Sequence, residues 1–244
     1  MTRIRALLFT APLIVLATVV YGSINLLVSL FDPTGRKQLT IARAWARALL
    51  AIGGVRLHVQ GLDKIDAHGS YVFVANHLSY MDTPVVLSAI PVQFRFLAKK
   101  GLFRIPFLGH HLKRAGHVPV SRDNPREALR AMSEAGQIVR QRRISLLVFP
   151  EGGRSPYGQL RPFKEGAALI AIKAGVPLVP VALVGTREIL PMGSMEVRPG
   201  RVEVRIGDPI PTEGLTPAER SRLTTQLYDR VRDLLEARTY THSQ

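Results

Sequence analysis

Apolar positions change their spacing twice along the chain. Residues 7–31 run for 25 positions without a charge. As a helix this stretch would reach roughly 37 Å, more than the ~30 Å hydrocarbon core of a bilayer. Arg3 and Arg5 precede it, Asp32, Pro33, Gly35, Arg36 and Lys37 follow, and no Ala-x-Ala spacing closes it. The run therefore predicts a retained anchor rather than a cleaved leader. Residues 36–51 mix Arg36, Lys37, Arg43 and Arg47 with Leu39, Ile41, Trp45, Leu49 and Leu50, which predicts an amphipathic helix suited to a membrane interface or to a core. After Gly53 and Gly54 the pattern shortens to β-rich runs at 55–59, 71–75, 94–98, 117–120, 144–149, 178–183 and 202–206. Helical spacing occupies 83–89, 125–140 and 165–174. A last helix from Pro217 to about Ala237 places Leu223, Leu227, Val231 and Leu234 on one face, with Thr216 as its N-cap.

Strands that alternate with helices indicate an α/β fold. The expected architecture is one domain with a mixed, largely parallel sheet of about seven strands flanked by helices. Residues 1–54 form its membrane-anchoring segment and interfacial helix, and residues 55–244 form the α/β domain with the carboxy-terminal amphipathic helix. The run Leu146-Leu147-Val148-Phe149 is apolar on both faces, as a covered central strand requires. Open α/β sheets bind ligands at the carboxyl ends of their strands, so chemistry is expected just after Ala75 and just after Phe149.

Composition narrows the function. Cysteine is absent, which excludes disulfides, thiol nucleophiles and cysteine-held zinc. Basic residues number 33 against 18 acidic, for a formal charge of +15, a field that attracts polyanions. The apolar run points that charge toward an anionic membrane and phosphorylated small molecules, and no nucleic-acid partner is expected.

Both strand ends carry unusual loops. After the run 71–75 comes Asn76-His77-Leu78-Ser79-Tyr80-Met81-Asp82, with a helix start near Asp82 and Thr83. A carboxylate five residues on can hold one imidazole nitrogen and leave the other free to take a proton. No thiol and no Gly-x-Ser-x-Gly elbow accompanies the pair. The attacking hydroxyl is therefore expected to come from the substrate, and Ser79 reads as a turn former. After 144–149 comes Pro150-Glu151-Gly152-Gly153-Arg154-Ser155. The two glycines let backbone N–H groups approach an anion, Arg154 offers a planar fork to phosphate, and Glu151 would orient Arg154 or an acceptor hydroxyl. Lys164 adds a cation at a helix start, where the helix dipole also favours anions. Lys99, Lys100, Arg104, Lys113 and Arg114 make the stretch before 117–120 densely basic. The remaining histidines show no ligand spacing, and neither metal nor cofactor is expected.

Four segments taken in order, Asn76-His77-x4-Asp82, Gly116-x5-Arg122, Phe149-Pro150-Glu151-Gly152-x-Arg154-Ser155 and Val176-Pro177-Leu178-Val179-Pro180-Val181, resemble the motif blocks of the glycerolipid acyltransferases, and most of all the lysophosphatidic acid acyltransferases among them. The likeness runs from about residue 55 to 210. It implies an α/β acyltransferase domain facing the cytoplasm from the inner membrane. It casts His77 as the base that deprotonates an acceptor hydroxyl and Asp82 as its orienter. Arg122 and Arg154 become phosphate ligands, and Asn76, Glu151 and Gly152, with Lys100 and Lys164, join the substrate-binding set. The implied partners are a lysophospholipid acceptor and an acyl-CoA or acyl-carrier protein donor, with phosphatidic acid as product. Gly153 departs from the family pattern, which usually has threonine there, and the lost hydroxyl leaves the acceptor open. A lyso-ornithine lipid or glycerol 3-phosphate would fit the same blocks. Thioester hydrolysis and a non-catalytic membrane-binding module are the remaining alternatives.

Overall fold

The computed structural model describes residues 5–121, 124–194 and 196–237. It begins with two antiparallel helices. A π-helical turn at Ala6–Thr10 leads into α1, Ala11–Ser29, and α2 spans Arg36–Gly53. The stretch Leu8–Ser29 is long and apolar enough to cross a membrane, and many of its side chains, including Leu13, Leu16, Val20 and Leu27, are exposed. Asp32 organises the turn: one oxygen accepts from the Thr34 N–H and hydroxyl at 3.2 and 2.8 Å, the other from the Gln38 N–H at 3.1 Å. The helices then zip together, since Asn25 donates to Gln38 O at 3.0 Å and Trp45 Nε1 donates to Thr18 Oγ1 at 3.1 Å. Leu39, Ala46 and Leu50 on the adjoining face of α2 enter the domain core. The apolar helix thus lies along the domain through α2 rather than projecting from it.

Seven strands form one sheet: β1 Val55–Gln60, β2 Val72–Ala75, β3 Phe94–Lys99, β4 Val118–Val120, β5 Ser145–Val148, β6 Leu178–Val184 and β7 Gly200–Ile206, in the order β1-β7-β6-β2-β5-β3-β4. The five strands from β6 to β4 are mutually parallel, whereas β7 runs antiparallel to β6 and parallel to β1. A parallel neighbour needs a crossover that packs on the sheet. The connection from β6 to β7 contains only a single helical turn, α7 (Thr186–Ile189), so β7 returns antiparallel.

The other helices are α3 Asp82–Ala89, α4 Leu108–Arg114, α5 Pro125–Arg142, α6 Gly166–Ala174 and α8 Arg220–Glu236. Along β2 the side chains divide by parity, as a pleated strand demands. Phe73 and Ala75 pack toward α2 and α3, while Val72 and Val74 pack toward α5, α6 and α8. All four are fully buried, which explains why no polar alternation marks this strand. The expected strands and helices are present with ends shifted by a few residues. The α4 helix carries no periodic signature in sequence because Gly109 interrupts it. That glycine is required: a Cβ there would lie 2.2 Å from Phe103 O.

Arg95 of β3 fastens the helical pair to the sheet, and His117 ties β3 to the start of β4. The Arg95 guanidinium donates to Thr34 O at 2.7 Å and Phe94 O at 2.8 Å. Burial lowers its pKa to about 10, so it stays charged at neutral pH. His117 Nδ1 accepts the Phe96 N–H at 3.0 Å. Burial, followed by the nearby His111 and Arg95, lowers the ring pKa from 6.5 to about 3. The folded protein therefore holds a neutral imidazole that the unfolded chain protonates below about pH 6.5, and stability must fall as pH drops from 6.5 toward 3. His117→Asn, which keeps an acceptor near the Nδ1 position without a proton-binding ring, is expected to show a shallower loss of melting temperature over this interval. Identical slopes in thermal melts of the two proteins would contradict the assignment.

Candidate active site

Because β2 and β5 are adjacent and parallel, the loops that leave them emerge at the same sheet edge. The first, residues 76–81, ends where Asp82 opens α3. Asp82 Oδ2 gathers three contacts: His77 Nδ1 at 2.7 Å, the Leu78 N–H at 2.7 Å and the Ser79 N–H at 2.9 Å. The carboxylate is fully buried and sits in the first helical turn, where the macrodipole favours negative charge. Among the described residues its second oxygen has no hydrogen-bond partner. With Nδ1 engaged, Nε2 is the imidazole nitrogen left for chemistry. The His77 ring stacks on Phe149 at 4.0 Å between centroids and 14° between planes, which removes its remaining freedom.

The second loop holds His77 by its backbone. Glu151 Oε1 accepts the His77 N–H at 2.7 Å, and His77 O accepts the Ser155 N–H at 2.9 Å. Glu151 Oε2 accepts the Arg161 N–H at 3.1 Å. Burial raises the Glu151 pKa, and the hydrogen bonds from His77 and Arg161 oppose that rise. Each Glu151 oxygen thus accepts a main-chain N–H in a buried position, and neither meets the Arg154 guanidinium. Arg154 is held elsewhere, with Nε donating to Ser79 O at 3.2 Å and the guanidinium 3.9 Å from the centroid of the Tyr80 ring.

His77 opens onto a cleft of about 790 Å³ that Tyr80, Lys99, Gly152, Arg154, Lys164 and Arg220 also line. Gly152 has φ +75°, and the Lys164 side chain crosses its α-carbon so closely that a Cβ would lie 3.0 Å from Lys164 Cε. Its N–H closes a turn onto Phe149 O at 3.2 Å. The cleft thus brings His77, Gly152, Arg154 and Lys164 together, with Asp82 behind the His77 ring. Two expected substrate ligands are placed otherwise. Asn76 is fully buried and exchanges two hydrogen bonds with the Leu183 backbone, at 3.0 and 2.7 Å, so it extends β2 against β6 as a strut. Lys100 forms an ion pair with Glu127, and its neighbour Lys99 lines the cleft instead. Arg122 lies outside the described residues. Phe149 heads the third motif block but is given no role by it, and Tyr80, Lys99 and Arg220 carry no motif signal that would single them out, Lys99 being marked only by the basic stretch around it.

A second cavity, of about 610 Å³, lies between the helical pair and the sheet. Val19, Leu26, Leu39, Trp45 and Phe94 are among its walls, and it shares Thr83, Phe96 and Leu112 with the cleft. The arrangement as a whole places a buttressed imidazole in a cation-lined cleft beside an apolar chamber.

Comparison with known proteins bears on this geometry. A family model described as acyltransferase matches residues 56–184, more than half of the chain. A chloroplastic 1-acyl-sn-glycerol-3-phosphate acyltransferase of Brassica napus is 38% identical over 186 residues, 75% of this chain and 53% of that protein. The human 1-acyl-sn-glycerol-3-phosphate acyltransferase alpha is 32% identical over 179 residues, 73% of this chain and 62% of that one. This chain thus spans about half the length of the plant relative. The crystal structure of the 1-acyl-sn-glycerophosphate acyltransferase PlsC from Thermotoga maritima superposes with a TM-score of 0.78 at 28% identity, covering 99% of this chain and 100% of that one.

Glu151 offers a direct check on the site's construction. Glu151→Gln presents one acceptor oxygen and an NH₂ group to two backbone donors, so one of those N–H groups loses its partner in a buried place. The expected loss is about 1–3 kcal/mol of unfolding free energy, read by urea denaturation. Unchanged stability would contradict the assigned role.

Proposed function

The chain belongs to the acyltransferase family, and we propose that it transfers a fatty acyl group from acyl-CoA or acyl-carrier protein to the sn-2 hydroxyl of lysophosphatidic acid, giving phosphatidic acid. The observation that carries this reading is the buried 2.7 Å contact between His77 and Asp82 at the floor of a cleft rimmed by cations. The names of the relatives support the acceptor.

In the proposed reaction His77 Nε2 takes the proton from the acceptor hydroxyl as that oxygen attacks the thioester carbonyl. The new C–O bond forms, and the carbonyl oxygen becomes an oxyanion. Collapse breaks the C–S bond, and the imidazolium returns its proton to the departing thiolate. Asp82 holds Nδ1–H and stabilises the imidazolium between these steps. Direct transfer needs no acyl-enzyme, in keeping with the absence of cysteine. Arg154 and Lys164 bind the acceptor phosphate, and Tyr80 holds the guanidinium flat. The apolar chamber accommodates an acyl chain, since it adjoins the cleft across Thr83, Phe96 and Leu112.

Residues 1–54 serve as the anchor and residues 55–244 as the catalytic domain. The helical pair lies in one leaflet on the cytoplasmic side of the membrane, because α1 follows the domain surface along α2 and exposes apolar side chains to the other side. Acceptor and product then remain in the bilayer plane throughout.

His77→Ala is expected to lower acyl transfer by about 10²–10⁴-fold or more while the far-ultraviolet circular dichroism is retained, and Asp82→Asn to lower it at least about 10²-fold. Full activity in both variants, measured with lysophosphatidic acid and each donor, would end the base assignment. Arg154→Ala removes a charge-assisted contact and should raise KM for lysophosphatidic acid about tenfold or more with little change in KM for the donor. Equal increases for the two substrates would remove Arg154 from the phosphate site.

A further inference from the structure

From residue 83 to 122 the chain contains no carboxylate, yet it carries Lys99, Lys100, Arg104, Lys113 and Arg114. Among these cations Lys100 pairs with Glu127 of α5. Set within this basic stretch is a short turn whose apolar side chains face outward: Leu102, Ile105 at 45% exposure, Phe107 at 76% and Leu108. An apolar tip with a cationic collar and no acidic member has the chemistry of an anionic lipid surface, where side chains enter the acyl region and ammonium and guanidinium groups meet phosphates.

The turn is built to hold this display. Phe107 has φ +60°, a conformation disfavoured for an aromatic residue, and directs its ring outward while the chain turns into α4. Gly109 N–H donates to Ile105 O at 2.7 Å, His111 N–H to Phe107 O at 2.9 Å, and Phe103 is buried beneath as the plug. Arg114 Nε donates to Ser29 O at 2.9 Å. That bond docks α4 against the end of α1, where Leu27, Leu30 and Phe31 are also exposed, Phe31 at 80%. At the other end of α4 the turn also lies beside α1, since Phe107 and Leu108 share the wall of the apolar chamber with Val19, Gly22 and Leu26.

We propose that the turn at residues 102–108 is a second membrane-inserting element, seated at the headgroup–acyl boundary of an anionic phospholipid bilayer beside α1. The inference rests on the proposed anchoring by the helical pair and is independent of the acyl-transfer chemistry. It also gives the acceptor a route. Lys99, Leu102 and Leu112 line the catalytic cleft, and Phe107 and Leu108 line the apolar chamber. With this turn in the interface, a lysolipid reaches His77 by lateral movement, its tail never crossing water.

Ile105 lines neither cavity, so Ile105→Trp reports on the turn without altering either binding wall. The full-length variant and its parent are each mixed with vesicles of phosphatidylglycerol and phosphatidylcholine in equal parts, with or without bromine on the acyl chains. Sedimentation with vesicles reports anchoring, and the parent corrects for Trp45, the single native tryptophan. The expected result is a blue-shifted emission from the added indole and loss of most of it to the brominated chains, with weaker quenching in vesicles of phosphatidylcholine alone. Sedimentation with vesicles but no quenching beyond the parent's would overturn the insertion of this turn while leaving the helical anchor standing. Equal quenching in both vesicle types would overturn the choice of an anionic surface. Failure to sediment would overturn the anchor and this inference together, without touching the acyl-transfer proposal.

Discussion

Asp82 Oδ2 draws the imidazole and two consecutive backbone N–H groups onto a single buried oxygen. A buried carboxylate must be met by donors, and these are the ones its surroundings supply. The need to satisfy that charge therefore bends residues 77–79 around it and turns the His77 ring to present Nδ1. Glu151 does the same from the other loop, taking the His77 N–H and the Arg161 N–H. Two acidic side chains thus determine the position of one histidine, one through its ring and one through its main chain. The cleft wall carries Lys99, Arg154, Lys164 and the Arg220–Glu165 ion pair, while the Asp82 and Glu151 carboxylates sit behind it and shape the site.

This construction depends on the sheet. The loops carrying Asp82 and Glu151 meet only because β2 and β5 lie side by side and run in the same direction. Asn76 extends that alignment by pairing its amide with Leu183, which ties the start of the histidine loop to β6. A polar residue directly beside the base thereby becomes part of the framework. Its hydrogen-bonding capacity is used within the strand layer, where leaving it unmet would cost about 1–3 kcal/mol.

The helical pair is fastened to the same framework from the other side. Arg95, near the amino end of β3, holds the carbonyl of Thr34, and α2 adds Leu39, Ala46 and Leu50 to the core that Phe73 and Leu147 share. The apolar chamber exists because α1 reaches the domain only over α2 and at its carboxyl end, leaving a gap above Phe94 and Phe96. Helical pair, chamber and cleft are therefore consecutive layers of one packed structure, and in the proposed reaction the lipid substrates enter from the layer nearest the membrane.

Much of this was legible in the order of residues. The seven short β-rich runs, the uncharged stretch of 7–31 and the five-residue spacing from His77 to Asp82 are local patterns, and local patterns obey strand and helix periods whatever surrounds them. Other features were beyond such reading. Glu151 and His77 stand 74 residues apart, and nothing near either residue says that the carboxylate will take a main-chain N–H rather than a guanidinium. The same holds for Asn76 against Leu183 at a separation of 107, for Lys99 facing the cleft while Lys100 meets Glu127, and for the reversed direction of β7. Sequence by itself determined which segments become strands and helices and which side chains could perform proton transfer. Tertiary structure decided which polar groups are consumed by burial and which remain free for a ligand, because that division depends on donors and acceptors brought together only when distant strands align.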